Sequence, residues 1–182
     1  MNGFLIVLYI IIVLLIILGI AYIYMYNKFN ESIIRIDEAE VRIDTNLREK
    51  YDALDRAISL IKNKKEIDNK ELEDIIKLKA RKLSNFDLDR KLVKIYNEFL
   101  NLYESNKELR DDDDIYKIHK QIELIDEEMV TLRNYYNGNI LIYNKMIKKI
   151  PTNIIALIKK YKERPFYDLK DMKDEDYEDF KL

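Results

Sequence analysis

From Phe4 to Tyr26 no charged residue interrupts a run made almost entirely of Ile, Leu, Val and Tyr. At about 1.5 Å per residue, a helix over this run spans about 34 Å, enough to cross a bilayer's hydrocarbon core with some tilt. A helix apolar on every side needs cover all round, which a small polar domain cannot give it. The run therefore predicts a transmembrane anchor over 4–26 behind a short N-terminus, 1–3. Beyond Phe29 the pattern changes. Apolar positions now step by three and four through Ile33, Ile36, Ile43, Leu47, Tyr51, Leu54, Ile58 and Ile61, the seam of an amphipathic helix. Only Glu40 interrupts it, and the neighbouring Ala39 can cover the gap. No Gly or Pro separates the two patterns, so anchor and first domain helix are expected to be continuous.

Lys62–Lys65 is a polar break, after which a short helix is predicted over Asn69–Leu83, with Glu71, Glu73 and Asp74 suited to its N-terminal dipole. Ser84 or Asn85 can cap the next helix, whose apolar side reads Phe86, Leu88, Leu92, Ile95, Phe99 and Leu102. Asp111–Asp114 opens the longest pattern. Ile115, Ile122, Met129, Tyr136, Tyr143 and Ile150 recur every seven residues, with Ile118, Ile125, Leu132, Asn139 and Met146 in the partner seam. Pro151 ends that helix or starts a turn, and Thr152–Tyr161 forms a last amphipathic piece. The expected fold is all-α: an N-terminal transmembrane helix followed by an antiparallel bundle of about four helices over 27–165, then an acidic aromatic tail, 166–182.

A cleaved signal peptide would need a basic start, a shorter apolar core and a small-residue cleavage site. Met1-Asn2-Gly3 has no basic side chain and Ile20–Tyr24 offers no such site. An uncleaved signal-anchor is expected, with Tyr22, Tyr24 and Tyr26 at the headgroup layer and Lys28 just beyond. Lys28, Arg35 and Arg42 follow the span and no basic side chain precedes it, which predicts an outside N-terminus and a cytoplasmic domain.

Composition narrows the function. The 32 basic and 34 acidic residues nearly cancel, against the large basic excess that non-specific nucleic-acid binding requires. With no Cys, disulfides, thiolate chemistry and Cys-based zinc sites are excluded. Three Gly and two Pro leave little for the turns of a β-fold.

Two segments carry a family resemblance. Arg133-Asn-Tyr-Tyr136-Asn137 and Tyr143-Asn144, followed by Ile150-Pro151-Thr152-Asn153, match the C-terminal pattern of the LemA family: an Arg, two Tyr-Asn pairs seven apart, then Pro-Ser/Thr-Asn. The N-terminal half adds Phe29-Asn30, Ile36-Asp37-Glu38-Ala39, Ile43-Asp44, Leu47 and Lys50-Tyr51-Asp52, and Pro165-Phe166-Tyr167 is similar to the family's closing aromatic patch. The chain departs from the pattern where Asp55-Arg56 replaces a Pro-Asn and Asn106-Lys107 replaces a Tyr-Pro. The resemblance implies a single span, an antiparallel helical domain and a bacterial origin. It implies no established biochemical activity. Members are often encoded near membrane zinc peptidases, which suggests such a peptidase as a partner.

Each candidate site has a packing and a functional reading. Tyr136 and Tyr143 share a helix face, and Asn137 and Asn144 the adjacent one: either rings and amides pack between helices, or Asn137, Asn144 and Asn153 form a strip that recognises a partner. Gly138 in mid-helix suggests a close approach. Arg133 is expected to pair with Asp37 or Asp44 across the bundle, setting register. His119, the only His, is expected to be a partly buried polar residue, since no Glu-x-x-His pairs exist for a di-iron site. Asp111–Asp114 lacks the spacing, Gly and distal Glu of a calcium loop. The acidic tail reads as solvated chain or as a motif that docks on a basic groove. No catalytic residue, cofactor or metal is expected. The expected function is a non-enzymatic, single-span scaffold or adaptor of the bacterial envelope, binding proteins and not nucleic acid, and open to self-association. The competing reading is a spectrin-like coiled-coil component of division or cell-shape machinery.

Overall fold

The structure is a computed structural model and describes residues 3–64 and 83–167. Among them are five helices and no strand: α1 (Gly3–Lys64), α2 (Asn85–Ser105), α3 (Lys107–Arg110), α4 (Asp113–Lys148) and α5 (Thr152–Lys159). The all-α expectation holds, and α1 is unbroken from the apolar run into the amphipathic seam, as the absence of Gly and Pro predicts. The helix expected over Asn69–Leu83 lies outside the described residues except for Leu83, which is not helical, and the tail beyond Tyr167 lies outside them too. The chain divides into two compact units, Met1–Glu38 with Tyr136–Phe166, and Ala39–Tyr135 with Tyr167–Leu182.

The second unit is a bundle of three long segments. Arg42 bonds Glu128, Lys50 bonds Asp126, and Arg56 bonds Gln121, so α1 rises in number as α4 falls. The pairs Asp89–Arg133 and Tyr96–His119 give α2 the same antiparallel sense against α4. Ile43, Leu47, Leu54, Ile58, Leu92, Ile95, Phe99, Ile122 and Met129 fill the core, at most 4% exposed. Burying each such side chain stabilises by about 1.5–3 kcal/mol relative to leaving it in water. Ala39 is buried and Glu40 exposed, so the interruption in the seam is covered as expected.

Helix starts follow local hydrogen-bonding chemistry. Ser84 Oγ accepts the Asp87 amide at 3.2 Å and caps α2. Asp112 Oδ1 accepts the amides of Asp114 and Ile115, both at 3.0 Å, so one carboxylate of the Asp111–Asp114 run caps α4. Asn106 is extended and accepts the Glu108 amide at 3.1 Å, keeping a break before Lys107 without the family's proline. Asp55-Arg56, the other departure, lies inside uninterrupted α1.

In the first unit, Phe29 is fully buried and meets Tyr143 edge-on at 5.9 Å and Tyr161 at 5.3 Å. Ile36, Ile140, Met146, Ile155 and Ala156 complete this core. The heptad fails at its last position. Ile150 is 76% exposed, because α4 ends at Lys148 and the seven-residue rule ends with the helix. Gly138 also departs from expectation: it is helical, and a Cβ there would meet nothing within 4 Å, so no close approach explains it. Phe4–Tyr24 are exposed, and α1 is the one helix among the described residues long and apolar enough to cross a membrane.

Candidate functional site

The most tightly organised polar group in the second unit is centred on Asp89. Its position, three after Phe86 and three before Leu92, lies on the apolar face of α2, so its carboxylate is driven inside and is 1% exposed. A charge there needs a partner. Arg133, on α4, supplies one with a forked contact: Nε to Oδ2 at 3.1 Å, and Nη2 to Oδ1 and Oδ2 at 2.9 and 2.7 Å. The Tyr167 hydroxyl donates to Asp89 Oδ2 at 3.0 Å and lies 3.3 Å from the Asn85 carbonyl. The Tyr167 ring packs edge-on against Phe86 at 5.9 Å and lies 5.8 Å from the Arg133 guanidinium. Burial, and then the neighbouring Asp89 carboxylate, push the Tyr167 phenol far above its ordinary range.

This corrects the pairing expected for Arg133. Asp37 instead accepts Arg164 Nη1 at 2.9 Å, and Asp44 accepts Arg48 one turn along its own helix at 2.8 Å. Both of those aspartates are solvent-accessible and are satisfied by a cation at hand, whereas buried Asp89 requires a forked, desolvated partner. Sequence reasoning missed Asp89, though the signal was present: an acid at i+3 and i−3 from apolar seam residues. The same signal marks Lys50, which lies on the seam between Leu47 and Leu54, is 1% exposed, bonds Asp126 and sits 5.0 Å from the Tyr96 ring.

The first unit uses a different device. Asn144 Nδ2 donates to the Arg164 carbonyl at 2.9 Å, and Asn144 Oδ1 accepts the Arg164 amide at 3.0 Å. One side-chain amide thus pairs with one peptide residue as two strands would. The Arg164 guanidinium also lies 5.6 Å from the Tyr143 ring, whose phenol burial raises above its ordinary value. Tyr136 and Tyr143 are buried, at 8% and 3% exposure. Asn137 is half-buried, and Asn153 Oδ1 is buried without a hydrogen-bond partner. Pro151 is exposed where α4 gives way to α5, and the Thr152 hydroxyl lies 2.6 and 2.7 Å from the carbonyls of Met146 and Lys149, either of which can accept its one proton. Tyr22 stacks on Tyr26 at 6.3 Å, while Tyr24 and Lys28 are exposed.

His119 sits among aromatic rings in the second unit. Its Nδ1 is 3.2 Å from the Tyr96 hydroxyl, its Nε2 is 3.4 Å from Glu123, and the Tyr103 ring is 4.8 Å away. It is partly buried, as expected of a lone His. Burial first, and then Asp126 and Glu123, push the Tyr96 phenol upward, so its neutral donor form is favoured. Among the described residues no group of three or more His, Asp or Glu side chains is gathered to hold a metal. An open groove of about 590 Å³ lies between α1 and α4, lined by Asp55, Arg56, Ser59, Lys117 and Gln121, with both charge signs present.

Of the clamp residues, Arg133, Asn144 and Tyr167 fall on the segments that carried the family resemblance, Arg133–Asn153 and Pro165–Tyr167, while Asp89 and Arg164 lie outside them. Searches of curated proteins and of solved structures found no match. The sequence profile of the LemA family matches residues 39–178, beginning inside α1 after Glu38 and covering most of the chain. On that match, the chain belongs to the LemA family.

Proposed function

We propose that this protein is a non-enzymatic, membrane-anchored adaptor that presents a helical domain at the bacterial envelope and holds protein partners there. The observation that carries the reading is the continuity of α1: an exposed apolar stretch passes without a break into the buried amphipathic seam. Asp89, Arg133 and Tyr167 bond one another within the second unit, and Asn144 and Arg164 within the first, so these groups hold the helical framework that the proposed adaptor presents. Lys28, Arg35 and Arg42 support a cytoplasmic domain. With no native Cys, Leu124→Cys at an exposed position reports orientation, and resistance to impermeant thiol reagents on intact cells is the expected result.

The partner test is crosslinked capture from native membranes, comparing the full chain with one ending at Tyr167. A cut at Tyr167 retains the phenol that binds Asp89 and removes the acidic segment. Enrichment of a membrane peptidase by the full chain, lost on truncation, is the expected result. Recovery of the chain's own copies alone would replace the adaptor with a self-assembling structural element.

A further inference from the structure

The first unit leaves one apolar face uncovered. Ile154, Leu157 and Ile158 lie on one side of α5 at 52%, 75% and 59% exposure, with Ile150 just before the helix at 76%. The opposite side is inside, with Ile155 and Ala156 at 1% and 3%. Along the chain segment that carries this face the charge is one-sided. From Asn134 to Tyr167 the sequence has Lys145, Lys148, Lys149, Lys159, Lys160, Lys162 and Arg164, against the single acid Glu163. Glu163 is paired with Lys148 at 2.9 Å, and Arg164 with Asp37. Lys149, Lys160 and Lys162 are exposed. A single contact locates the face: Lys159 Nζ lies 4.9 Å from the ring of Tyr26, the residue that ends the uncharged run of α1.

We propose that α5 is a second membrane contact, its Ile154–Leu157–Ile158 face seated in the headgroup layer of an anionic bilayer beside the exit of α1. The proposal rests on the anchor reading, since Tyr26 marks the bilayer surface only if 4–26 spans it. Exposed aliphatic side chains ringed by lysines match an interface that is apolar below and negative at its surface. A short helix this close to the span needs no affinity of its own to reach the lipid, because α1 already holds it there.

The test uses the full chain in lipid nanodiscs of phosphatidylcholine and phosphatidylglycerol, with an environment-sensitive fluorophore on a single introduced Cys. Leu157→Cys reports the face, Leu15→Cys the span, and Leu124→Cys a solvent-exposed comparison. Lipids carrying a nitroxide near the headgroup are expected to quench Leu157→Cys with blue-shifted emission, and to leave Leu124→Cys at the level of a probe in water. Removing phosphatidylglycerol, or adding Lys149→Glu with Lys160→Glu, is expected to weaken quenching at position 157 and not at 15. A water-like, unquenched probe at 157 beside a lipid-embedded one at 15 overturns the proposal and leaves the anchor standing. Water-like emission at both positions overturns the anchor itself. Blue-shifted emission at 157 without lipid quenching assigns the face to a protein, a second copy if it depends on loading per disc, and overturns the lipid contact.

Discussion

Arg164 and Tyr167 are three residues apart in the chain, yet the two units hold them by opposite chemistry. The backbone of Arg164 is held by a neutral amide, with one hydrogen bond donated by Asn144 and one accepted by it, while its guanidinium reaches the solvent-accessible Asp37. Tyr167 is held through its side chain by a buried ion pair, Asp89 with Arg133. A neutral clamp makes modest net stability, and its removal orphans uncharged groups only. A charged clamp is poised differently, since each member is costly inside without the other. Similar hydrogen-bond lengths therefore conceal unequal sensitivity to substitution.

Asp89→Ala should have the largest effect. It strands Arg133, which is 16% exposed, and removes the acceptor of Tyr167, so a loss of about 3–5 kcal/mol is expected. Urea unfolding of the full chain in detergent, followed by near-ultraviolet tyrosine dichroism, would measure it. A loss under about 1 kcal/mol would show that Arg133 reaches water and that the two clamps are energetically alike. Asn144→Ala should cost less, about 1–3 kcal/mol, because it orphans one amide and one carbonyl of Arg164. Hydrogen exchange at the Arg164 amide reads that loss directly, and an unchanged exchange rate would mean the amide has another partner.

The sequence made one of these clamps easier to foresee than the other. Asn144 belongs to a Tyr-Asn pair and stood out on a helix face, although its partner, a peptide group twenty residues on, has no side-chain signature. Asp89 was hidden because an acid between Phe86 and Leu92 reads as a polar interruption until something pairs with it. Much of the periodic pattern was legible: Ile43, Leu47, Leu54, Ile122 and Met129 are core because period fixes face before any partner is known. Ile150 failed for the converse reason, since period means nothing past the last helical turn. Choice of ionic partner is not periodic at all. Arg133 selected Asp89 over Asp37 and Asp44 by burial and forked geometry, which only packing decides.

Tyr167→Phe tests the charged clamp by pH. In the unfolded chain the phenol ionises near pH 10, whereas burial and Asp89 keep it protonated to higher pH in the fold. Its contribution is therefore fully present below about pH 10 and is lost as pH rises toward the raised value, because the unfolded state then binds fewer protons. The full chain should lose stability above pH 10, and Tyr167→Phe should lose it less steeply. Near neutral pH the variant should cost only about 0.5–1.5 kcal/mol, the net worth of one hydrogen bond. Identical slopes would place the alkaline loss on the other tyrosines that burial raises, Tyr51, Tyr96 and Tyr143.

The smallest effect tests whether the clamps act independently. Gly138 lies on α4 between Arg133 and Asn144, in helical backbone with open space where a Cβ would go. Gly138→Ala should stabilise by up to about 1 kcal/mol through helix propensity and the unfolded chain's lost freedom, touching neither clamp. Combined with Asp89→Ala or with Asn144→Ala, it should add to within about 0.5 kcal/mol, as for sites without shared partners. A larger coupling with both would mean that α4 transmits strain between Arg133 and Asn144. The two clamps would then be one device, and the glycine would be retained to keep that helix compliant between its two grips.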